Sequence, residues 1–238
     1  MEFDDLMAAR WSCREFLPDP LPDDVLRDVM VTAQRTASWC NTQPWQVHLL
    51  SGEAVTWLGD ALVEHVVNHP TPEEQTPDLD LPAAYVGVYK ERQRGAGYAL
   101  YESLGIERSD FGRRAEQMLR NFSFFGAPHV AIVTTDRTQG TYGVLDCGGY
   151  VANLMNAALA HGVASIAQGA IGMQAGPVRE LLGLPEDRLV VCGVALGRPA
   201  EHPVNDFRTT RAELEDVVTL VDAPPAATAQ TARERAGA

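Results

Sequence analysis

The stretch from residue 147 to residue 178 contains no aspartate, glutamate, lysine or arginine, and it constrains the fold more than any other part of the chain. Its length raises the question of a membrane-spanning helix. Asparagine, glutamine and histidine side chains and several glycines interrupt the apolar run, and such polar groups are costly in lipid. We therefore predict a buried helix over residues 141–161, a short strand over 163–166 and a buried loop over 167–175, with no membrane association.

The predicted helix over residues 141–161 carries apolar side chains on one face and small ones on the other. The apolar face comprises Val144, Cys147, Val151, Leu154, Met155, Ala158 and Leu159, and the small face Gly148, Gly149, Ala152 and Ala157. A helix that is apolar on nearly all sides must be buried. A chain of 238 residues is expected to form one domain, so we predict that a sister subunit covers the second face.

Composition excludes several classes of function. The net charge of −13 argues against a nucleic-acid surface. The only lysine is Lys90 and no G-x-x-x-x-G-K motif is present, so there is no P-loop. The cysteines and histidines show no metal-ligand spacing, and we expect no metal and reduced thiols. The acidic start MEFDDL has no signal-peptide pattern, which predicts a cytoplasmic protein.

Periodicity and turn residues predict the remaining elements. Helices are predicted over residues 4–9, 22–37, 83–104 (a mobile cover, broken at its glycines), 109–126 (with Ser109 as N-cap) and 177–183, and a last short helix near Arg208 and Arg211. Strands are predicted over residues 46–50 and 54–58 (a hairpin), 129–135 and 189–196, and a proline-rich surface loop over 68–82. We expect one domain over residues 1–222 and a disordered, low-complexity tail over 223–238.

Two polar sets flank the predicted helix over residues 22–37. Before it, Arg10, Ser12 and Arg14 alternate with Trp11 and Cys13, which in an extended segment directs the three polar side chains to one side. This arrangement suits an anion. After the helix stand Ser38, Asn41 and Gln43.

Simpler interpretations stay open for each of these sets. Arg10 and Arg14 also fit a surface pair, and Arg208 and Arg211 fit ion pairs with Glu213 or Glu215 at a helix end. Asn41 and Gln43 also fit a role in satisfying backbone groups before the strand.

Four motifs in a fixed order carry a resemblance to a known family. They are R-x-S-x-R-x-F from Arg10, S-x-x-N-x-Q-P-W from Ser38, NFSFFGAPH from Asn121, and a strand ending in G-R-P followed by N-x-F-R-x-x-R. Over about residues 3–220, this pattern resembles the FMN-dependent nitroreductase family. The resemblance implies an α+β fold in which a mixed sheet is flanked by helices, and an intertwined homodimer with two flavin sites at its interface.

The resemblance also implies roles for individual residues. The implied cofactor-binding residues are Arg10, Trp11, Ser12, Arg14, Ser38, Trp39, Asn41, Gln43, Ala167, Gln168, Gly169, Arg208 and Arg211. The N-terminal arginines and Ser12 would hold the flavin phosphate and ribityl chain, and the C-terminal arginines would close on the same phosphate. Ser38 and Asn41 would reach the flavin of the other subunit.

The resemblance implies no catalytic side chain, because the backbone N–H of Gly169 would point at flavin N5. Trp39, Tyr85 and Tyr89 are expected to face the substrate.

The activity implied is a two-step transfer of electrons. Hydride passes from NADH or NADPH to FMN, and a nitroaromatic, quinone or similar flat small-molecule acceptor is then reduced at the same face with ping-pong kinetics. No G-x-G-x-x-G follows a strand, so the nicotinamide is expected to bind over the flavin without a Rossmann domain. The alternatives are a specialised flavin-dependent dehydrogenase or reductive dehalogenase acting on a metabolite, and a flavin-binding protein without turnover.

Overall fold

The computed structural model describes residues 2–222. Their fold is built around one four-stranded sheet. The strands are β1 (Trp45–Ser51), β2 (His129–Asp136), β3 (Ala164–Gln168) and β4 (Arg188–Gly197), in the order β1-β2-β4-β3. All pairings between these strands are antiparallel, whereas the resemblance implied a mixed sheet. The α+β class expected from the sequence is confirmed.

The helices come before, between and after these strands. They are α1 (Phe3–Ala9), α2 (Asp23–Ala33), α3 (Glu53–Asn68), α4 (Gly87–Ser103), α5 (Phe111–Leu119), α6 (Gly140–Ala160), α7 (Gly169–Gly172), α8 (Ala175–Leu182) and α9 (Pro203–Asp206). None of the helices among residues 2–222 is long and apolar enough to cross a membrane.

The central strands β2 and β4 are buried on both faces. Along β2, Val130 and Ile132 join a core with α3, α7 and α8, while Ala131 and Val133 join a second core with α2 and α6. Successive side chains of a strand point to opposite faces, so a strand covered on both sides must be apolar throughout. This is why the continuous apolar run over residues 129–135 correctly predicted a central strand.

The uncharged stretch forms α6, β3 and α7, and the predicted helix over residues 141–161 is confirmed. One side of α6 is buried against α2 and the sheet through Cys147, Tyr150 and Leu154. Along its other side Tyr142 and Leu145 are exposed, together with Gly148 and Ala152. The second face expected to need a partner is therefore an exposed surface within one chain.

Two predictions around the first strand are wrong. Residues 54–58 belong to α3 rather than to a hairpin strand, because Val55, Leu58 and Leu62 are buried at helical spacing. The helix predicted over 22–37 ends at Ala33. There the buried Thr36 hydroxyl donates to the carbonyl of Ala33 at 2.7 Å and accepts from Asn153 at 2.8 Å, and these bonds replace the next helical turn.

Two further helix predictions need correction. The predicted cover helix over 83–104 begins only at Gly87 and continues through Gly95 and Gly97 without a break. The helix predicted from Ser109 is capped by the carboxylate of Asp110, which accepts from the N–H of Arg113 at 3.0 Å, and it ends at Leu119.

The described residues fall into two compact units, one ending at Phe207 and the other beginning at Arg208. Arg208 and Arg211 lie in an irregular segment before a 3-10 turn at Leu214–Asp216, so the helix predicted near them is wrong. The tail over residues 223–238 lies outside the described part of the chain, and the expected domain boundary at residue 222 stays a prediction.

Candidate functional site

The arginine segment runs extended beside β3, as its alternation predicted. The N–H of Cys13 donates to the carbonyl of Ser165 on β3 at 3.0 Å, and Cys13 is fully buried while Ser12 and Arg14 are half-buried. Further along, the N–H of Leu17 donates to the carbonyl of Arg198 at 2.9 Å. Backbone hydrogen bonds therefore hold the segment to β3 and to the residue that follows β4.

Arg14 is a partly buried cation beside backbone and aromatic groups. Its guanidinium donates to the carbonyl of Ser12 at 3.1 Å and lies 5.8 Å from the ring centre of Phe207. Burial lowers the pKa of Arg14 from its ordinary value, although an arginine remains charged in proteins. Within residues 2–222 the described ion pairs are Glu15–Arg120 and Asp78–Arg179, and neither includes Arg14. A bound anion would supply the missing counter-charge.

Glu15 and Cys13, the neighbours of Arg14 in sequence, have other bonding partners. Glu15 forms a two-pronged ion pair with Arg120, at 2.5 and 2.9 Å, so its carboxylate is already neutralised. The thiol of Cys13 donates to the carbonyl of Glu15 at 3.2 Å, and burial raises the pKa of Cys13 to about 11. The thiol is thus protonated near neutral pH, which leaves it unsuited to nucleophilic chemistry.

The same strand leads to an open surface at Gly169. The sequence predicted a loop over residues 167–175, but Ala167 and Gln168 end β3 and Gly169 begins α7. Gly169 is exposed, and a Cβ atom built there would have no neighbour within 4 Å. At about 3.3 Å per residue, Gly169 lies about 13 Å beyond Ser165 along β3. The arginine segment lies beside β3, and Gly169 directly follows its end.

Gln168 contributes only its backbone to that surface. Its side chain is buried and donates to the carbonyl of Asn121 at 2.6 Å, at the start of the NFSFFGAPH motif. Ala167 is exposed between Gln168 and the buried Ile166. Any cofactor contact at Gln168 would thus be made by main-chain atoms.

The Ser38–Gln43 loop holds a strained backbone. Cys40, Asn41 and Gln43 have φ values of 49°, 58° and 48°, in the left-handed region that is costly for residues other than glycine. The hydroxyl of Ser38 accepts from the N–H of Gln43 at 2.9 Å, and the carboxylate of Asp146 on α6 accepts from the N–H of Trp39 at 3.0 Å. These bonds fix a conformation that the chain would otherwise avoid.

The side chains of the Ser38–Gln43 loop are arranged by glutamines. The side chain of Gln34 donates to the side-chain oxygen of Gln43 at 3.0 Å, and the side chain of Gln43 donates to the side-chain oxygen of Asn41 at 3.2 Å. The side chain of Gln43 thus bonds within the loop rather than facing a ligand, while Asn41 is exposed at the surface.

The aromatic residues expected at the substrate are all at the surface. Trp39 is half-exposed and packs edge-on against Tyr142 of α6, with ring centres 3.9 Å apart. Tyr85 and Tyr89 are exposed just before and within the first turn of α4. Their contact with substrate stays a prediction.

The two polar sets lie at opposite ends of α6. The Ser38–Gln43 loop contacts Tyr142 and Asp146 near the start of α6, whereas Arg10 and Trp11 line a small cavity with Leu159 near its end. At 1.5 Å per residue, Asp146 and Leu159 are separated by about 20 Å along the helix axis. One chain therefore does not bring the two sets together.

Arg208 and Arg211 belong to the second compact unit. The guanidinium of Arg211 donates to the Thr209 hydroxyl at 2.8 Å and to the carbonyl of Thr210 at 2.9 Å. Whether these arginines close on a phosphate stays a prediction.

Two residues that organise these segments were not expected from the sequence to do so. Asp146 fixes the start of the Ser38–Gln43 loop, and Asn205 bonds to the main chain at Arg14. Asn205 stands in the N-x-F-R-x-x-R motif, so its position was visible in the sequence. Asp146 had no such signal, because its partner is 107 residues away.

Comparisons with known proteins give consistent matches over most of the chain. The model of the nitroreductase family matches residues 7–198. The FMN- and NADPH-dependent nitroreductase NfnB from Sphigopyxis sp. strain HMH has a similar structure, with 32% identity, a TM-score of 0.89 and coverage of 94% of this chain and 100% of that one. The FMN-dependent nitroreductase NfnB from Mycobacterium smegmatis, solved with NADPH, gives 33% identity, a TM-score of 0.85 and coverage of 92% and 97%.

A chloronitrobenzene nitroreductase from Comamonas testosteroni is 34% identical over 220 residues, covering 92% of this chain and 96% of the relative. A 4-nitrobenzoate reductase from Nocardioides sp. is 31% identical over 224 residues, covering 92% and 90%.

Proposed function

Because the chain belongs to the nitroreductase family, we propose that it is a homodimeric FMN-dependent oxidoreductase that uses NADH or NADPH to reduce nitroaromatic, quinone or similar flat acceptors. Two similar structures are named as dependent on FMN and are either dependent on NADPH or bound to it. Two relatives are named for chloronitrobenzene and 4-nitrobenzoate. These names support the cofactor, the donor and the class of acceptor.

The observation that carries the proposal is the partly buried Arg14, which has no carboxylate partner among residues 2–222. A flavin phosphate is close to doubly charged, and an arginine fork satisfies its oxygens in a fixed geometry. Ser12 adds a hydroxyl on the same extended segment. The residues present thus fit a phosphate despite the net charge of −13, because short-range charged hydrogen bonds outweigh the field of distant carboxylates.

The open surface at Gly169 fits the ring of the cofactor. When bound, FMN supplies the two-electron chemistry between nicotinamide and acceptor. The backbone N–H of Gly169 is fixed by the start of α7, and it would stabilise negative charge on the flavin ring without any particular side chain. Tyr85 and Tyr89 would line the acceptor side, and Trp39 would limit the size of the acceptor.

A homodimer is supported by the separation of the two polar sets and by the exposed face of α6. Tyr142, Leu145 and Ala152 form part of an exposed surface of α6 with Gly148 and Gly149. Exposed surfaces of this kind mark association sites. With a two-fold axis near this face, the Ser38–Gln43 loop of one subunit would meet the arginine segment of the other.

Flavin binding and reduction test the proposal directly. The purified protein should be yellow, or turn yellow after FMN is added and excess is removed. Under anaerobic conditions NADH or NADPH should bleach the flavin absorbance, and a nitroaromatic or quinone should restore it. Steady-state rates measured against both substrates should give the parallel double-reciprocal lines of a ping-pong mechanism.

Two outcomes would reject parts of the proposal. A protein that stays colourless with FMN would reject every flavin-based function. A yellow protein that neither donor bleaches would favour a flavin-dependent dehydrogenase or a binding protein without turnover.

We also propose a cytoplasmic location. All four cysteines are free thiols, which suits a reducing compartment. Fractionation of cells that produce the chain would test this location.

A further inference from the structure

We propose that Asn205 is a positioning residue for the phosphate grip, by which we mean Arg14 and Ser12 as the proposed ligands of the FMN phosphate. Its buried amide fixes the main chain at Arg14 and Glu15 and thereby aims the Arg14 guanidinium at the phosphate. This inference rests on the proposed FMN-binding function and deepens it, because it names a residue that acts through Arg14 rather than on the cofactor.

The contacts of Asn205 connect two distant parts of the chain. Its side-chain oxygen accepts from the N–H of Arg14 at 2.8 Å, across 191 positions of sequence. Its side-chain nitrogen donates to the carbonyl of Glu15 at 2.8 Å and to the carbonyl of Ala200 at 2.9 Å. Only 7% of Asn205 is exposed, so these bonds are sheltered from water.

The chemistry of an amide is specific for this position. An asparagine offers an acceptor and two donors in one plane, which match one N–H and two carbonyls. An aspartate would keep the acceptor for Arg14 but would set a second oxygen against the carbonyls of Glu15 and Ala200. An alanine would leave buried backbone groups without a partner.

Asn205 is itself held in place by its own short helix. The N–H of Asn205 donates to the carbonyl of His202 at 2.8 Å, and the ring nitrogen of His202 accepts from the N–H of Val204 at 3.2 Å. The amide is therefore presented from a fixed turn rather than from a loose end.

The arginine segment would stay attached without Asn205, but its orientation would change. The N–H of Ala200 donates to the carbonyl of Glu15 at 3.0 Å, and Leu17 and Cys13 have their own backbone bonds. No other described bond holds the N–H of Arg14. Loss of Asn205 would therefore leave the segment in place while the peptide before Arg14 is free to rotate, and the guanidinium with it.

Comparing the affinities for FMN and riboflavin isolates the contribution of the phosphate to binding. Riboflavin is FMN without its phosphate, so the ratio of the riboflavin Kd to the FMN Kd reports on the grip alone. We would measure both constants by quenching of flavin fluorescence in the apoprotein for the wild type and for Asn205→Ala, Asn205→Asp and Arg14→Ala. We expect the ratio to fall about tenfold in both Asn205 variants, with riboflavin affinity changed by less than about threefold, since one charged hydrogen bond is misplaced.

A double-mutant cycle distinguishes positioning from a general loss of stability. If Asn205 acts through Arg14, then adding Asn205→Ala to Arg14→Ala should not lower the ratio further. His129→Ala is the matched control, because His129 also accepts a long-range backbone N–H, that of Leu21, at 2.9 Å. It should lower the melting temperature of the apoprotein and leave the Kd ratio at the wild-type value.

The outcomes separate this inference from the function on which it rests. If Arg14→Ala lowers the ratio and both Asn205 variants keep the wild-type value, Asn205 is structural only and the inference is wrong. If Asn205→Ala does not fold, the same cycle is run with Asn205→Asp, because repulsion between its carboxylate and the phosphate would persist in Arg14→Ala, whereas a loss of positioning would not. If the wild type binds neither flavin, or binds both equally, the proposed phosphate grip fails and the inference falls with it.

Discussion

At the scale of single residues, buried polar groups show where the molecule is organised for a ligand and where only for stability. Arg14 is a partly buried cation whose described contacts are a carbonyl and an aromatic ring, so its burial is costly until an anion arrives. His129, by contrast, has its polar atoms matched within the protein. The first arrangement suits a binding site, and the second suits a structural tie.

His129 should make the stability of the protein depend on pH. Its Nε2 atom accepts from the N–H of Leu21 at 2.9 Å, so the proton of the neutral ring lies on Nδ1, which donates to the Ser51 hydroxyl at 2.7 Å. Burial lowers the pKa of His129 below 6.5. The neutral ring is thus favoured in the folded state, and its stabilisation is complete above the unfolded pKa. It is lost as pH falls from there through the lowered folded pKa.

The test compares the wild type with His129→Gln, which cannot titrate. Free energies of unfolding would be measured in urea at about pH 7.5 and at about pH 5, on either side of the ordinary histidine pKa. We expect the advantage of the wild type to shrink at the lower pH. The pKa of His48 is also lowered, but His48 is present in both proteins and its contribution cancels. An advantage that stays constant with pH would contradict the prediction.

Two glycines in helices should respond oppositely to alanine. A Cβ atom on Gly172 would lie 2.6 Å from the carbonyl oxygen of Val191, and backbone cannot easily move aside. Gly172→Ala should therefore lower the free energy of unfolding by about 1–3 kcal/mol. Gly95 in α4 has no neighbour within 4 Å of such an atom, so Gly95→Ala should raise stability by about 0.5–1 kcal/mol. Chemical unfolding of both variants checks the contrast, and equal effects would contradict it.

At the scale of elements, the acidic loop between α3 and α4 is fastened more firmly than its composition suggests. Asp78 is largely buried, forms an ion pair with Arg179 of α8 through both carboxylate oxygens and accepts from the N–H of Val190 at 2.8 Å. The N–H of Thr76 donates to the carbonyl of Met173 at 3.2 Å, just after α7. The loop thus supports the short helix that begins at Gly169.

Removal of the Asp78 carboxylate should release this loop. Asp78→Ala leaves Arg179 partly buried without its partner, and breaking such a pair costs about 3 kcal/mol. We expect a matching loss in the free energy of unfolding and faster cleavage within residues 69–86 during limited proteolysis. The exposed Asp80 gives the control, because Asp80→Ala should stay within about 0.5 kcal/mol of the wild type. Similar cleavage of the two variants would show that Asp78 does not fasten the loop.

The elements that sequence analysis predicted correctly are those in which burial and pattern agree. β2 has a continuous apolar run because both of its faces are covered, and α6 has one continuous apolar side because α2 and the sheet cover that side. The wrong strand over residues 54–58 arose because a window of five residues does not separate a strand from the start of a helix. The full run to Val66 has helical spacing. α4 stays continuous at Gly95 and Gly97 because a glycine costs a helix only about 1 kcal/mol.

The candidate site was predictable in part. The alternation from Arg10 to Arg14 correctly gave an extended segment. The hydrogen bonds that fix this segment come from Asn205 and from Ser165, far along the chain, and no local pattern contains them. The same holds for Asp146 at the Ser38–Gln43 loop. Sequence thus indicated candidate residues for a ligand site, but it did not indicate the residues that hold them in place.

At the scale of the whole molecule, the separation between the arginine segment and the Ser38–Gln43 loop predicts that each flavin site is shared. A heterodimer tests this when one subunit carries Arg14→Ala and the other Asn41→Gly, purified through two different tags. Glycine removes the Asn41 side chain while tolerating its φ of 58°. If the sets act across the interface, one site of this heterodimer lacks both side chains and the other is intact, so it should bind about one FMN per dimer tightly.

The matched control places both changes on one subunit and pairs it with a wild-type subunit. If the sites are shared, each of the two sites then lacks one side chain, so tight binding should be lost from both. If each site is formed within a single chain, the site of the wild-type subunit stays intact. If the sites are shared, the first heterodimer binds one FMN tightly and the control binds none. If each chain forms its own site, the control binds one FMN and the first heterodimer binds none. Isothermal titration with FMN measures both stoichiometries. Tight binding in the control, with none in the first heterodimer, would show that each chain completes its own site. The approximately 20 Å between the sets along α6 favours the shared arrangement, because a flexible loop would have to cross that distance within one chain.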